Sequence, residues 1–531
     1  MNNFLLIVLC FLSFFSLYGQ EELNREVIDV VKDFRPKVML ANKIHAQPLF
    51  IDTSKVSLNL KYQVRYEEFR VQQKLDSLKP QEMDRLLLTP LHTKQLSFGI
   101  GNLISPQIFV GISEDRNTKS MYHAFLKYSG AYSNNIPKED HYSHLLVGAS
   151  MKKLFRPFIL NSRLSIKDIS RFDFIENDFK SSIFSFNTNI TFNDSSKFYF
   201  PKSIFISSDL FLRDFHSLEK KLILKTSHYR VNEQINSWEF INAFEFQRSN
   251  STDYFHWKSD VKTEKETNIS HFILGLNTDF LVDGFRVFPK LRIARQLIKN
   301  DLFSYFELGG GRDLYLLQDI YLSNPYIRTS LLSLYLENNL FSNTKYFARI
   351  GLNGDLFNGV KYQVSATAIN EDNFMHFTSV ESHLDIIAHI PSFTSVNMAI
   401  FHAEIDAQLD HNILSILKGD FRLFDEELSY VPEIEIGFYT DYYHNEEWLL
   451  STSFRYLGSR EALFLDQSDM NSLDHVPLRA ILDVNISLKY AFSTTIDFYL
   501  KGLNLLNEDY VYWQEIPILG RQLNIGAKYR F

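Results

Sequence analysis

The stretch Gln522–Phe531, QLNIGAKYRF, decides the fold class of this chain. Every second residue in it is apolar or aromatic, and the residues between are polar or glycine. Successive side chains of a β-strand point to opposite faces, so this pattern predicts a strand with one apolar face and one polar face. The apolar set ends on Phe531, the last residue of the chain. We therefore expect a strand with apolar surroundings on one side and water on the other.

The N-terminus carries an apolar run from Phe4 to Leu17, followed by Tyr18-Gly19-Gln20. Such a run before a small residue is typical of a secretory signal peptide, and we expect cleavage after Gly19. The stub of residues 1–3 lacks the Lys or Arg that usually precedes the run, so a buried helix or an N-terminal anchor is the alternative. Cys10, the single cysteine, lies inside the run, and the mature chain is therefore expected to contain no thiol.

The composition narrows the class of protein. The chain has 531 residues, 48 Phe, 27 Tyr and a formal net charge of −8, so it offers no basic field for nucleic acid. After the N-terminal run, no apolar stretch is long enough for a membrane-spanning helix. Many aromatic residues without apolar helices favour a barrel whose strands alternate between lipid and lumen, with aromatic girdles at both interfaces. A large soluble β-sandwich or propeller is the alternative.

The alternation recurs in four other stretches. These are residues Phe186–Phe192, Phe401–Asp410, Glu433–Tyr442 and Leu482–Tyr490, each about as long as a tilted strand needs to cross a bilayer. Strand edges cannot stay unpaired in hydrocarbon, so strands of this kind must close into a ring. The sequence therefore predicts an all-β protein, a transmembrane antiparallel outer-membrane β-barrel.

The chain divides into three predicted parts: a signal peptide over residues 1–19, a charged, helix-leaning periplasmic segment over 20–93, and the barrel over 94–531. At about 20 residues per strand with its loop, the barrel has on the order of 20–22 strands. We expect turns at residues 134–137, 193–196, 283–284 and 370–373, and a bend or bulge at the triple glycine 309–311. Residues 317–343 do not alternate, which indicates an excursion with some helix, folded inward.

The end of the chain resembles the last strands of TonB-dependent outer-membrane receptors. The residues that carry the resemblance are Lys501–Asn507 (KGLNLLN), Tyr510, Trp513, Pro517, Gly520-Arg521 and Lys528–Phe531. The resemblance implies an outer-membrane location, with outer-membrane lipid and the barrel-assembly machinery as partners. That machinery reads the terminal strand, so Tyr529 and Phe531 are the expected assembly signal. TonB or other envelope proteins are the further partners that it implies.

One departure from this family concerns the plug. The receptors carry a plug of well over a hundred residues ahead of the barrel, whereas residues 20–93 are fewer and lack plug-like βαβ patterning. Weaker likenesses at Phe98–Asn102, Asn324-Pro325-Tyr326 and Trp448–Arg460 resemble a plug-less branch of receptor-like barrels found in Bacteroidota, and we expect no separate plug domain. Glu26–Val31 (EVIDVV) resembles the short box that contacts TonB, and an extended periplasmic tail is the alternative.

The search for reactive or binding groups yields lumen residues rather than a catalytic site. The chain has no G-x-S-x-G, no H-E-x-x-H and no glycine-rich phosphate loop, so we expect no enzyme, no metal and no cofactor. His141-x-x-His144 lacks a third metal ligand at a defined spacing. Alternation places His402, Glu404 and Asp406 on one face, either as a lumen-lining stripe, which we favour, or as a metal or substrate site. The lumen candidates are His402, Glu404, Asp406, Glu433, Glu435, Asp497, Lys501, Lys528 and Arg530.

Two functions fit these features. The first is a channel or transporter for a solute, in which charges along a polar lumen set the selectivity. The second is a non-transporting barrel scaffold in an envelope assembly or secretion complex, where residues 20–93 and 317–343 hold partners or block the pore. An open lumen favours the first function, and a lumen filled by the chain's own segments favours the second.

Overall fold

The structure is a computed structural model of the chain. It describes residues 93–114, 117, 119–132, 141–173, 177–192, 201–213, 216–231, 237–249, 252–267, 269–298, 302–324, 327, 342–357, 359–381, 387–410, 412–445, 447–465, 473–508, 510–514, 516–517 and 519–531. The predicted signal peptide and nearly all of the predicted periplasmic segment lie outside these residues. Among the described helices, none has the length and apolar character needed to cross a membrane.

The described residues form one short helix and many strands. In chain order they are β1 (Lys94–Gly101), β2 (Gln107–Glu114), β3 (Ser120–Ala131), β4 (Tyr142–Leu154), β5 (Phe158–Asp173), β6 (Asn177–Phe192), β7 (Ser203–Arg213), β8 (His216–Val231), β9 (Ser237–Ser249), β10 (Thr252–Glu266), β11 (Ser270–Leu281), β12 (Gly284–Ile298), β13 (Leu302–Leu314), α1 (Leu317–Ser323), β14 (Ser342–Phe357), β15 (Val360–Glu381), β16 (Ile387–Asp410), β17 (Ile413–Phe424), β18 (Ile434–His444), β19 (Trp448–Leu457), β20 (Arg460–Leu465), β21 (Leu473–Leu478), β22 (Ile481–Ala491), β23 (Ile496–Leu503), β24 (Val511–Trp513), β25 (Ile516–Pro517) and β26 (Gln522–Arg530).

Neighbouring strands pair antiparallel and close into a barrel. The last strand, β26, pairs with β1 from Gln95↔Arg530 to Gly101↔Asn524, so the sheet joins its own beginning. Strand β19 pairs directly with β22, and the β20–β21 hairpin between them turns aside to pair with β15. The described residues thus confirm the all-β prediction as a closed antiparallel barrel of 22 strands. We call the end that holds Lys94 and Phe531 the terminal end, and the other the loop end.

The strand that opened the sequence analysis alternates as predicted. In β26, Ile525 is 63% exposed on the outer face, whereas Asn524 is 1% exposed on the inner face. Leu523 and Tyr529 share the outer face with Ile525. The four other alternating stretches lie within β6, β16, β18 and β22, although Glu433 falls just before β18. Exposed apolar side chains around the outside give the barrel an apolar belt, as a wall facing lipid requires.

Of the four predicted turns, those at residues 134–137 and 193–196 lie outside the described residues, one of the others is confirmed and one is wrong. Asp283-Gly284 lies at the turn between β11 and β12, where Gly284 adopts a φ of +131° that suits glycine. Residues 370–373 form no chain reversal, because β15 continues through them. The pairing with β16 shifts between Glu371 and Phe374, and Asn373 adopts a φ of +59°. Asparagine tolerates this left-handed conformation, so the turn-like composition produces a β-bulge within a long strand.

The triple glycine marks a break in the wall. The ladder between β12 and β13 ends at Leu291↔Leu308, immediately before Gly309. Beyond that point β12 pairs only with β11, and β13 only with β14. The two hairpins then overlap, since the ring of Phe288 on β12 lies 5.1 Å from that of Tyr346 on β14. The Asn277 amide also donates a hydrogen bond of 3.3 Å to the Gly310 carbonyl. The predicted bend at the triple glycine is therefore an overlapped seam.

The seam encloses a buried group of charges. Arg312 Nη1 lies 2.7 Å from Asp283 Oδ1 and 3.9 Å from Asp279 Oδ1, and the Arg312 side chain is 1% exposed. His256 Nε2 lies 2.8 Å from the other oxygen of Asp279, and its Nδ1 lies 3.6 Å from Glu245 Oε2. The seam is thus fastened by ionic contacts between β11, the β11–β12 turn and β13, where the backbone ladder is missing.

Adding a methyl group at Gly310 should loosen this seam. A Cβ there would lie 2.7 Å from the Lys345 carbonyl oxygen and 2.8 Å from Phe288 Cδ1, so the overlap must shift. We expect Gly310→Ala to lower the free energy of unfolding by about 1–3 kcal/mol, measured as the urea midpoint in detergent. Gly311→Ala is the matched control, because a Cβ at Gly311 meets nothing within 4 Å. Equal midpoints for the two variants would show that close approach at Gly310 is not required.

Candidate functional site

The interior of the barrel carries the predicted lumen residues of β16. Phe401 and Ile405 are exposed on the outer face, so His402, Glu404 and Asp406 point inward. His402 Nδ1 lies 2.8 Å from Asp420 on β17, and its Nε2 lies 3.5 Å from Glu404. The three residues therefore share one face, as the alternation predicted.

The chain of charges continues across the next strands. Arg422 on β17 lies 3.1 Å from Asp420 and 3.2 Å from Glu435 on β18. Glu435 also contacts Arg455 on β19 at 2.9 Å. We call this set the inner ladder; its members are His402, Glu404, Asp420, Arg422, Glu435 and Arg455. Because positive and negative groups alternate, the ladder makes a polar wall that is close to neutral.

Two predicted residues stay outside the ladder. Asp406 and Glu433 are exposed, and neither has an ion pair with another described residue. Glu433 lies at the bend before β18, where its carbonyl accepts a hydrogen bond from the Arg422 backbone N–H. Asp406 lies on the inner face of β16 opposite Lys361, without a close ion pair.

A second group of predicted residues lies near the terminal end, on the strands that close the barrel. Asp497 on β23 is 1% exposed and contacts both Lys489 Nζ, at 3.1 Å, and Arg530 Nη2. Lys528 is the direct cross-strand neighbour of Asp497 on β26. Lys501 places its ammonium 4.9 Å from the centroid of the Tyr499 ring. The buried Asp497 carboxylate thus balances cations from two strands, and the Tyr499 ring holds Lys501 by a cation–π contact.

The expected assembly residues lie on the opposite face. Tyr529 and Phe531 are both exposed on the outside, with ring centroids 5.1 Å apart. This position is where a factor outside the barrel could contact them. Their role in assembly stays a prediction.

Sequence reasoning did not find the polar contact that holds α1 at the loop end. The side chain of Glu219 on β8 accepts hydrogen bonds from the backbone N–H groups of Leu317 and Gln318, both at 3.2 Å. These groups belong to the first turn of α1, which has no cap of its own. Gln247 on β9 donates a third bond of 2.6 Å to the same carboxylate. Glu219 therefore fixes the start of α1 to the barrel wall. Alternation alone marks it as inward-facing but gives it no partner.

The apolar side of α1 is part of a cluster that closes the loop end. The Tyr321 ring lies 5.5 Å from Phe211 on β7, and Ile320 is buried beside them. The same cluster takes in residues from β15, the β17–β18 loop and the β20–β21 hairpin, on the other side of the barrel. We call it the cap; its buried members are Phe211, Leu317, Ile320, Tyr321, Ile327, Phe377, Tyr430, Ala462 and Leu478, with Trp513 packed against them. The cap thus joins distant parts of the wall through the barrel interior.

The cap lies beyond the apolar outer belt. On β15 the outward residue Val364 is exposed and apolar, whereas Asn370, nearer the loop end, hydrogen-bonds to Asn397 at 2.7 Å. On β8 the apolar face begins at Leu222, and the next outward residue toward the loop end is Lys220. Cap residues at these levels are therefore surrounded by water outside the wall rather than by hydrocarbon.

Burial shifts the pKa of two side chains that contact the cap, Glu219 and His389. It raises the pKa of Glu219 to about 7, an effect that the N–H groups of Gln318 and Leu317 only partly offset. It lowers the pKa of His389, which lies beside Tyr430 and Trp513, to about 4. His389 is thus neutral at pH 7, and Glu219 is close to its titration point there.

A Glu219→Gln variant tests this carboxyl group. An undocked Glu219 has the ordinary glutamate pKa of about 4.5, whereas burial in the docked form raises that pKa to about 7. Docking of α1 therefore weakens as the pH rises between these values, by up to about 3 kcal/mol. The variant has no such loss, so its cap should match the original near pH 4.5 and be better closed at pH 8. Identical pH profiles would contradict this role.

The measurement uses Trp513 in the cap. The chain has 4 Trp, so replacing Trp238, Trp257 and Trp448 by Phe leaves Trp513 as the only fluorescent indole. Acrylamide quenching then reports how open the cap is. Glu239→Gln is the matched control, because Glu239 faces Lys262 at 2.7 Å on the wall away from the cap.

The described residues contain no group of three or more His, Cys, Asp or Glu side chains that could hold a metal ion. The inner ladder is a set of ion pairs on neighbouring strands.

The barrel is similar in fold to several solved structures. The siderophore receptor PirA from Acinetobacter baumannii has a TM-score of 0.62 and 10% identity, covering 82% of this chain and 80% of that one. The FrpB iron transporter from Neisseria meningitidis has a TM-score of 0.63 and 9% identity, with coverages of 84% and 82%. The copper transporter OprC has a TM-score of 0.60 and 10% identity, covering 82% of this chain and 80% of that one. No family model matches the chain, and no curated protein is significantly similar in sequence. The likeness thus lies in the fold.

Proposed function

We propose that this protein is an outer-membrane transporter of the TonB-dependent receptor type, which moves a solute through the polar lumen of its barrel. The observation that carries the proposal is a closed 22-strand barrel with an apolar outside and a charged inside. A barrel of this size has a lumen wide enough for an aqueous channel or a plug. The resemblance of Lys501–Asn507 and the closing strand to these receptors supports the same reading.

The cap gives the proposed transporter a gate. It spans the interior at the loop end, so free diffusion through the barrel requires it to move. Its attachment to β8 depends on Glu219, whose carboxyl titrates near neutral pH. We infer a closed resting barrel whose opening releases α1 from the wall. The inner ladder and Asp406 then line one side of the path, along β16–β19, with polar groups whose charges nearly balance.

The proposal includes the parts that lie outside the described residues. Residues 1–19 would direct export, and residues 20–93 would remain in the periplasm, with Glu26–Val31 as the segment for TonB. The expectation of no separate plug domain belongs to the proposal as well. Tyr529 and Phe531 would be read by the barrel-assembly machinery, and the surrounding lipid would cover the outer belt.

The alternative is a barrel scaffold without transport. The filled loop end favours it, because a cap built from the chain's own segments blocks passage. The two functions differ in whether the interior ever conducts. A scaffold also needs no charged lining, whereas the inner ladder extends over four adjacent strands.

Efflux from lipid vesicles tests the proposal. Vesicles loaded with neutral sugars of graded size would carry the mature chain or a form that lacks residues 20–93. We expect no efflux from either form while the cap is in place, and size-limited efflux once residues 315–341 are replaced by a short turn, because the cap closes the lumen. Retention of the smallest sugar by both forms, together with retention after the cap is removed, would leave the scaffold as the function.

A further inference from the structure

Most cations on the inner wall of β10–β26 have a carboxylate partner. Lys262 contacts Glu239 at 2.7 Å, and Lys290 contacts Asp260 at the same distance. Arg292 lies 3.6 Å from Glu307. The inner ladder and the Asp497 cluster follow the same rule. The wall of β3–β7 departs from it.

Two cations on β4 and β5 lack a counter-charge. Lys152 and Arg163 are exposed to the interior, since their neighbours Met151 and Leu164 are exposed on the outer face. Neither cation has an ion pair or hydrogen bond with another described residue. An uncompensated positive charge in a cleft attracts anions more strongly than one on a flat surface.

The side chains around these cations form two adjacent rows across five strands. In one row, His123, Ser150, Arg163 and Asn187 are successive cross-strand partners. In the other row, Lys152 is followed by Asn161, Asn189 and Phe205. Because pairing holds the rows side by side, these eight residues face one common space.

That space is a cavity of about 350 Å³, which is within the range of pockets for small molecules. Its lining contains no Asp or Glu. Arg163 and Lys152 supply donors only, and the three Asn residues add amide N–H groups. Ser207 donates a 2.5 Å hydrogen bond to Asn187 Oδ1, which leaves the Asn187 amide N–H₂ free to face the cavity. Asn189 Oδ1 is buried and makes no hydrogen bond to the described residues.

We propose that this cavity is a binding site for a small anionic solute bearing carboxylate or phosphate groups. Arg163 offers a planar fork that matches such groups with two parallel hydrogen bonds, and Lys152 adds a second charge from the neighbouring row. Phe205 ends the second row with an apolar surface for the remainder of the solute. The assignment rests on the proposed function only for the route by which the solute arrives. Binding itself needs no transport.

Citrate and inorganic phosphate are suitable probes, with glucose and tetraethylammonium as neutral and cationic comparisons. Calorimetric titration of the purified full chain in detergent should show binding of the anions only, weakened by added salt. The Lys152→Gln/Arg163→Gln variant should lose at least about tenfold in affinity for citrate, as expected when charge-assisted hydrogen bonds are removed. The matched control, Lys262→Gln/Arg292→Gln, removes two cations that already have partners and should bind citrate as the original does.

Equal citrate affinity in both double variants, or no anion binding by the original protein, would overturn the assignment. If Lys152→Gln/Arg163→Gln does not fold, Lys152→Gln alone provides the comparison. A repeat in nanodiscs with and without phosphatidylglycerol separates a free solute from a lipid headgroup: displacement of citrate by the anionic lipid would overturn the free-solute assignment. Citrate binding without sugar efflux would support this site and contradict the proposed transport. Sugar efflux without citrate binding would support the transport and contradict the site.

Discussion

Replacing residues 315–341 by a short turn is expected to convert a closed barrel into a conducting one. Leu314 and Ser342 are direct partners at the end of the β13–β14 ladder, so a tight turn joins them without strain. The change removes α1 and Ile327, the parts of the cap that reach β7 and β8. Barrels of roughly 16–18 strands already enclose aqueous channels, so a 22-strand barrel without its cap should pass small sugars readily.

The comparison needs a loop replacement that spares the cap. Ala131 and Tyr142 are direct partners on β3 and β4, so residues 132–141 can be shortened in the same way. Sugar efflux from vesicles should rise for the 315–341 replacement and stay unchanged for the 132–141 replacement. The same efflux from both would show that any shortened loop disturbs the barrel, and would remove the cap's special role.

The second large effect concerns the buried charges of the seam. Arg312→Ala removes the cation that lies between Asp283 and Asp279 and leaves Asp279, which is 3% exposed, without it. Breaking a buried ion pair by deleting one partner costs about 3–5 kcal/mol. We expect a loss of that size in the free energy of unfolding, measured by urea titration in detergent.

Arg349→Ala is the matched control. Its guanidinium contacts Glu307 at 3.4 Å, but the side chain is 42% exposed, so the pair contributes about 1 kcal/mol or less. A loss at Arg312 no larger than at Arg349 would mean that the seam does not depend on its ionic contacts.

Local pattern was sufficient to predict the class of fold. The alternation in residues 522–531, 482–490 and 401–410 depends only on neighbouring residues, and it correctly assigned each face of β26, β22 and β16. Because a strand edge cannot stay unpaired in hydrocarbon, the strands then had to close into a barrel. The bulge at Asn373 was missed because the same residue types favour turns and left-handed bulge positions, and only the partner strand decides between them.

The contacts between side chains inside the barrel could not be predicted from the sequence, for a different reason. His402 and Glu404 were recognisable as inward-facing, but their partners Asp420 and Arg422 depend on strand register, which no single strand reveals. The bond from Glu219 to α1 joins residues nearly a hundred positions apart. Residues of this kind require the closed barrel before their positions can be known. The roles of the lumen residues stay predictions.

Single-channel conductance in a planar bilayer tests the proposed gated lumen most directly. Four proteins are needed: the mature chain, the form without residues 20–93, the form with 315–341 replaced, and the form with both changes. If the cap closes the lumen, the protein with both changes should show discrete conductance steps. No form that keeps the cap should show them. Silence in all four proteins, or full conductance with the cap intact, would contradict the proposed gated lumen.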